Sequence, residues 1–449
     1  MSTVNVGAVL DEGRWTGYQK LLIAGTALTI ILDGVDNQIL PNALPRMMQD
    51  WDQPRSAFNA ALSAGPFGMM LGGALGGYLG DRIGRRTALL GSVLSFGLVT
   101  LLIAWVDTMT TLTLLRFIAG IGLGGAMPNA AALASEYVPR RQRPFAVTLT
   151  IVCIPLGGVV AAAMAGAIIP RFGWEPLFIA GGVVPLVLGV LLFFVLPESP
   201  RYLASHPSRW PELKRMLRRM GHDVPEAATF VESGGGAVGQ RKASLGDIFA
   251  PGYLRDTLAL FASFFFCLMA NYYAILLIPA VFREAGFAQA EANWVLQVFN
   301  WGGVAGAIIG ALVIQQLGSR IAMIGMSVAA IAISVALSRM TIEAPAGVIL
   351  MTLMILGGAL LNGVQTTMYA LAAHVYPTEV RGTGVGAVVA FGRIGNVLAA
   401  PVANGAVDRG GSSAYFLLWA ATMGLVTVAL AALRRHIPRS HAAPAPAKT

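Results

Sequence analysis

Charge is what this chain has least of. Asp, Glu, Lys and Arg make up 12% of its 449 residues, about half the share of a soluble domain. A chain so poor in charge cannot cover a soluble surface, so its length is to be divided into membrane spans rather than soluble domains. Cysteine is nearly absent as well. Cys153 and Cys267 both fall in apolar runs, which argues against a disulfide framework and against a thiolate metal site. Of the five histidines, His206, His222, His374, His436 and His441, only one lies near an apolar run, and no glycine-rich phosphate loop follows a strand. These absences exclude the usual machinery of a membrane enzyme, and no metal or cofactor is expected. The first 20 residues carry Asp11, Glu12, Arg14 and Lys20. The apolar run behind them is too long for an h-region, so no cleavable signal is expected.

What is present is apolar sequence: 56% of the residues are hydrophobic. Twelve stretches are long enough to cross a bilayer. They cover about 20–40, 57–78, 88–106, 112–135, 145–169 and 175–196, then 257–282, 292–316, 321–339, 346–373, 382–404 and 412–433. Irregular backbone cannot face lipid, so each is expected to be a helix. Residues 1–200 are expected to form one six-helix bundle, 201–252 a central loop, and 253–449 a second bundle with a tail. The fold class is therefore an all-α integral membrane protein, twelve transmembrane helices in two pseudo-symmetric six-helix bundles.

The net charge of +9 is a matter of topology, not of nucleic-acid binding. Arg82, Arg85 and Arg86 follow span 2, Arg140, Arg141 and Arg143 follow span 4, and the central loop holds a dense run from Arg201 to Arg255. The positive-inside rule puts these loops and both termini in the cytoplasm. An amphipathic helix is expected around 209–220, and the segments "ESGGGAVGQ" and "HAAPAPAKT" are expected to be linker and tail.

The two halves repeat. At an offset of 238, Pro41 falls on Pro279, Asp33 on Asn271, Arg143 on Arg381 and Gly157 on Gly395, and "ASEYVP" falls on "AAHVYP". Two repeated halves are a transporter layout, with the binding site expected near mid-membrane.

Charges inside the spans carry the chemistry. Asp33 and Asp36, in "LDGVDNQILP", are three residues apart and share one face of a helix. A carboxylate deep in a bilayer costs roughly 2.5–3.5 kcal/mol on insertion scales, so two together point to a proton or substrate path. Arg116 lies at a depth in span 4 similar to that of Asp33 in span 1, and a charge pair between them is expected. Together Asp33, Asp36 and Arg116 are the proton-coupling candidates. Arg393 is about 12 residues into span 11, ~18 Å at helical rise, and a guanidinium there suits the carboxylate of an anionic substrate. Gln38, Asn271, Tyr273, Trp301, Asn362, Gln365 and Tyr369 are the other candidate pocket residues, aromatics for stacking and amides or phenols for hydroxyl groups. His374 ends span 10 and reads as a structural hydrogen-bonder.

The string "GYLGDRIGRR", Gly77 to Arg86, matches the G-x-x-x-D-R-x-G-R-R signature of the major facilitator superfamily. Gly77, Asp81, Arg82, Gly84, Arg85 and Arg86, with Glu136 and Arg381, are the expected gating group. Gly77 is expected to let spans 2 and 11 approach, and Glu136 to receive the arginines. "PESPRYL" after span 6 belongs with this latch. With "LDGVDNQILP" and "YPTEVRGTGVGAVVAFGRIGN", the chain resembles the aromatic acid:proton symporters of that superfamily over essentially its whole membrane portion. The resemblance implies a monomeric, proton-coupled importer of a small organic anion such as a hydroxybenzoate, in the inner membrane. Muconate, another carboxylate or a sugar is the alternative cargo, and drug:proton antiport the alternative mode. Ile154-Pro155-Leu156-Gly157-Gly158 does not fit the span 5 run of drug antiporters, and a sugar would not need Arg393.

Overall fold

A computed structural model describes residues 3–13, 15–222, 225, 228–231, 245–377 and 380–439. The polar linker 232–240 and the tail 441–449 lie outside the described residues. The long helices are α1 (Gly17–Asp50), α2 (Asn59–Ile83), α3 (Arg85–Ile103), α4 (Met109–Tyr137), α5 (Arg143–Phe172) and α6 (Glu175–Val195). The second half holds α7 (Leu254–Glu284), α8 (Gln289–Leu317), α9 (Ser319–Arg339), α10 (Val348–Val375) and α11 (Arg381–Ala432). Among the described residues ten helices are long and apolar enough to cross a membrane. α2, diluted by seven glycines, is not among them, and α11 counts once although its helical path breaks at Gly410 and Gly411. With α2 added and α11 taken as two arms, the expected twelve spans are all present.

Two boundaries differ from the sequence reading. α1 runs on to Asp50 through Pro41 and Pro45 instead of stopping near residue 40. The turn between spans 11 and 12 shrinks to the glycine pair, where Gly411 takes φ +59°. The expected amphipathic helix appears as Trp210–Arg219, which buries Leu213, Met216 and Leu217. A short parallel pair, β1 (Thr3–Asn5) with β2 (Thr229–Val231), ties the N-terminus to the central loop in register Thr3 to Thr229.

The chain gathers into two compact units. The first contains residues 1–39, 64–158 and 174–241, and the second 40–63, 159–173 and 242–449. This partition departs from the expected 1–200 and 253–449 halves, and side-chain bonding explains part of the departure. Arg55 bonds Glu284 and Asp408, Asn404 donates to Asn59, Gln289 donates to the Asn42 carbonyl at 3.1 Å, and Ser63 donates to the Val397 carbonyl at 2.7 Å.

Within the first unit, α2 and α4 meet backbone to backbone. A Cβ built on Gly68 would sit 2.2 Å from the Phe117 carbonyl oxygen, and one on Gly72 only 2.0 Å from that of Ile121. From the other side, a Cβ on Gly120 would meet the Gly65 carbonyl at 2.2 Å. α1 and α5 meet the same way through Gly34 and Gly157. Lipid offers no hydrophobic drive between helices, so close van der Waals contact through small residues is what holds them.

The second unit repeats the device in α8 and α10. Cβ atoms on Gly302, Gly306 and Gly358 would lie about 2 Å from the carbonyl oxygens of Ile355, Ala359 and Phe299 respectively. α7 packs along α11, and an aromatic cluster of Tyr273, Tyr415, Trp419, Phe416 and Phe299 fills the space near them.

Candidate functional site

In the first unit the buried charges form one constellation. Asp36 is fully buried on α1, and Arg116 is 4% exposed on α4. Arg116 Nη1 lies 3.4 Å from Asp36 Oδ2 and 3.5 Å from its carbonyl oxygen. The hydroxyl of Thr100, on α3, donates to the other carboxylate oxygen of Asp36. Gly65 on α2 leaves room for the guanidinium, since a Cβ there would sit 3.3 Å from Arg116 Nη2. Asp33 is 4% exposed one turn earlier on α1, with Gln38 buried nearby in sequence. The expected ion pair of Arg116 therefore forms with Asp36 and not with Asp33. Depth alone could not separate the two: three residues differ by ~4.5 Å along the axis, and the neighbouring helix selects by angle.

In the second unit the polar residues of α7 and α10 are joined. The Asn271 amide donates to Asn362 Oδ1 at 3.2 Å and to Gln365 Oε1, and Asn362 donates to the Gly358 carbonyl at 3.1 Å. Tyr369 lies one turn on from Gln365 along α10, and the charge of Arg393 reaches its phenol. Arg393 is half-buried on α11. Among the described residues no carboxylate lies within 4 Å of its guanidinium.

Two expected pocket residues stand apart from this chain of groups. Tyr273 is fully buried among Tyr415 and Trp419 and donates to the Leu418 carbonyl at 3.2 Å, so its ring is used for helix packing. Trp301 is 47% exposed and shares a stripe of α8 with Ile308 and Leu312, an apolar face of the kind that meets lipid. His374 is exposed at the end of α10.

The motif between α2 and α3 is built as the sequence suggests, with one partner more. Arg85 Nη2 donates to Asp81 Oδ1 at 3.0 Å, and Arg85 Nε lies 3.2 Å from Glu136 Oε1. The Ser199 hydroxyl donates to Glu136. The added partner is Glu198, fully buried, which accepts from the Arg86 N–H at 2.8 Å and the Ser199 N–H at 2.9 Å. A carboxylate here meets the positive end of α3. Gly84 carries φ +101°, and a Cβ on it would fall 2.3 Å from Glu198 Oε2. The motif's second glycine thus supplies both a left-handed turn and the space for this anion.

Arg82 stacks its guanidinium 4.8 Å over the Tyr78 ring and accepts at its carbonyl from Tyr202. Arg86 lies over Phe193 at 4.7 Å. Arg381 donates to the Tyr376 carbonyl at 3.4 Å. Among the described residues, Gly77 has nothing within 4 Å of its Cβ position.

Sequence reasoning missed Glu198, Thr100 and the trio of Arg55, Glu284 and Asp408. Arg55 has a side chain 5% exposed and bonds both carboxylates of Glu284 and Asp408, at 2.6 Å each at closest. The one available signal was the position of Arg55 in a short loop otherwise poor in arginine. Among the described residues no group of three or more His, Cys, Asp or Glu could hold a metal.

Among the described residues, twelve membrane-length helical segments, repeated glycine contacts and buried charges within spans define a multi-pass membrane transporter, not an enzyme. The chain belongs to the major facilitator superfamily, whose family model matches residues 26–270 and 259–449. It is 31% identical to a gallate transporter from Pseudomonas putida over 91% of this chain and 90% of that one. It is also 31% identical to the 4-hydroxybenzoate transporter PcaK of Acinetobacter baylyi, over 96% of this chain and 93% of that one. In three dimensions it resembles the xylose transporter XylE of E. coli in a partially occluded inward-open conformation, with a TM-score of 0.72 at 16% identity, covering 94% of this chain and 99% of that one.

Proposed function

We propose that this protein is a proton-coupled symporter that imports a small aromatic carboxylate, a hydroxybenzoate or close relative, across the inner membrane by alternating access, with both termini cytoplasmic. The observation that carries the reading is Arg393. An unpaired cation in low dielectric costs several kcal/mol, so a half-buried guanidinium with no carboxylate within 4 Å among the described residues is poised for an anion. A benzoate carboxylate matches its planar fork in a bidentate way. The amides of Asn271, Asn362 and Gln365 and the phenol of Tyr369 supply donors and acceptors for ring hydroxyls. The relatives' names support an aromatic acid as cargo.

Asp36 and Asp33 carry the proton, and Arg116 is the counter-charge that responds to it. A carboxylate can be neutralised by a proton and a guanidinium cannot give one up. Protonation of an aspartate therefore alters the Arg116 pairing without changing the arginine itself, and this couples proton movement to rearrangement. Asp81, Arg85, Glu136 and Glu198 form the latch beside the motif loop. The test is uptake into proteoliposomes of 4-hydroxybenzoate and of its uncharged amide, with and without a pH gradient. Wild-type protein is expected to concentrate the acid only with the gradient and to ignore the amide. Arg393→Lys should weaken binding strongly and Arg393→Ala should lose it almost completely. Equal transport of acid and amide, or normal acid binding by Arg393→Ala, would overturn the assignment.

A further inference from the structure

A second basic site lies in the first unit; its lining contains none of Asp33, Asp36 and Arg116 and shares Arg86 with the motif loop. The end of α6, the start of α1 and the helix Trp210–Arg219 enclose a cavity of about 260 Å3. Arg86, Arg215, Arg219, Tyr18, Phe193 and Phe194 are among the residues that line it. Among the described residues none of the three arginines has a carboxylate within 4 Å. Glu212, the acid in the lining, is already held by Arg209 at 2.8 Å. The arginines' own contacts are weak or neutral. Arg215 donates to the Pro211 carbonyl at 3.4 Å, Arg219 lies 5.8 Å from the Tyr18 ring, and Arg86 donates to the Phe193 carbonyl. Arg86 Nε is buried with no hydrogen-bond partner. A buried donor without a partner is destabilising, and three cations around one small volume repel each other.

An exposed apolar stripe of α6 leads to Phe194, which belongs to the cavity lining. Val183, Val187, Val190, Leu191 and Phe194 are all exposed along one side of α6, and Phe194 is 80% exposed. That stripe follows helical spacing and ends at the arginines. We infer that this cavity binds the phosphate of an anionic phospholipid from the leaflet on the motif-loop side, with the acyl chains lying along the α6 stripe. A free phosphate has the charge but no use for the stripe. A zwitterionic lipid has the chains, but its ammonium group would meet three guanidinium groups. The ligand bridges Arg86 of the motif loop to Arg215 and Arg219 of the loop helix. The inference depends on the membrane fold and not on which substrate is carried.

The test uses full-length purified protein, delipidated in detergent and titrated with phosphatidylglycerol, phosphatidylcholine or inorganic phosphate, with bound lipid counted by native mass spectrometry. Phosphatidylglycerol is expected to bind at least ten-fold more tightly than phosphatidylcholine. Juxtamembrane basic residues contribute about 1 kcal/mol each, so Arg215→Gln/Arg219→Gln should weaken phosphatidylglycerol about twenty- to thirty-fold. Arg215→Lys/Arg219→Lys should retain most of the affinity. The charge-matched control Lys20→Gln/Arg255→Gln, outside the cavity, should bind as wild type does, and thermal unfolding checks that each variant is folded. Equal affinity for the two lipids, full displacement by inorganic phosphate at matched concentration, undiminished binding in the double glutamine variant, or an equal loss in the control would each overturn the site.

Discussion

Replacing Asp36 with asparagine keeps the shape of the side chain and its bond from Thr100 but removes the counter-charge of Arg116. At 3.4 Å the pair is longer than a tight charge-assisted hydrogen bond of about 2.7–2.9 Å. At an effective dielectric constant of about 20 its Coulomb attraction is still about 5 kcal/mol. Part of that offsets desolvation, because Asp36 is fully buried and Arg116 is 4% exposed. Asp36→Asn leaves a permanent cation in the interior and should cost ~3–5 kcal/mol. Arg116→Gln leaves a carboxylate that can take up a proton, so its cost should be smaller, ~1–3 kcal/mol. The double variant removes both charges and should be more stable than the sum predicts, with a coupling energy of ~2 kcal/mol or more. Cys153 and Cys267 are buried and free, so a thiol-reactive fluorophore reports unfolding directly. Alongside it, uptake under a pH gradient reads function. The double variant should recover stability without recovering proton-driven accumulation. Additive costs, within about 0.5 kcal/mol, would refute the ion pair. Concentrative uptake by both Asp36→Asn and Asp33→Asn would remove the coupling site from α1.

Further outcomes follow from other contacts. Glu284→Gln or Asp408→Asn alone should cost about 1 kcal/mol, since each carboxylate is partly exposed. Losing both should exceed the sum, because Arg55 would then be buried without a counter-charge; additivity in thermal unfolding would contradict this. Gly72→Ala places a Cβ 2.0 Å from the Ile121 carbonyl and should destabilise by ~1–3 kcal/mol. Gly77→Ala meets nothing within 4 Å and should be neutral or stabilising by up to ~1 kcal/mol, so the reverse order of melting temperatures would be inconsistent with the α2–α4 contact. Burial, helped by the Arg320 charge, holds the His436 imidazole below its ordinary 6.5. The unfolded chain then takes up the proton first as pH falls, so stability declines as pH drops below about 6.5. His436→Gln should flatten that decline in unfolding scans.

The spans were legible because length and hydropathy are enough to mark them, and the loop helix because Leu213, Met216 and Leu217 recur at helical spacing. The Asp81–Arg85–Glu136 group was legible because its charges sit at loop ends, where few partners compete. Contacts set by angle were not legible. Asp33 and Asp36 differ in sequence by less than a turn, and only the placement of α3 and α4 sends Thr100 and Arg116 to the second of them. Tyr273 and Trp301 have the composition of pocket residues, yet one fills an aromatic core and the other an exposed stripe. Glu198 lay within a string read as part of the latch, but its carboxylate at the α3 N-terminus becomes visible only once Gly84 is seen to open the space.

The glycine contacts bear on how such a chain could diversify. Gly65, Gly68, Gly72 and Gly125 recur 238 residues later as Gly303, Gly306, Gly310 and Gly363, and Gly120 recurs as Gly358. Around them the chemistry has diverged: Asp33 corresponds to Asn271, and Gly124 to Asn362 of the amide chain. A helix pair specified by missing side chains places no demand on the chemistry of its neighbours. Duplication could copy the scaffold at these positions and leave the polar ones free to drift. One copy carries paired ionisable groups, while the other carries amides, a phenol and a guanidinium with no carboxylate beside it among the described residues. In this architecture the inherited quantity is an interhelical distance, and a new cargo requires only that the side chains beside that distance be rewritten.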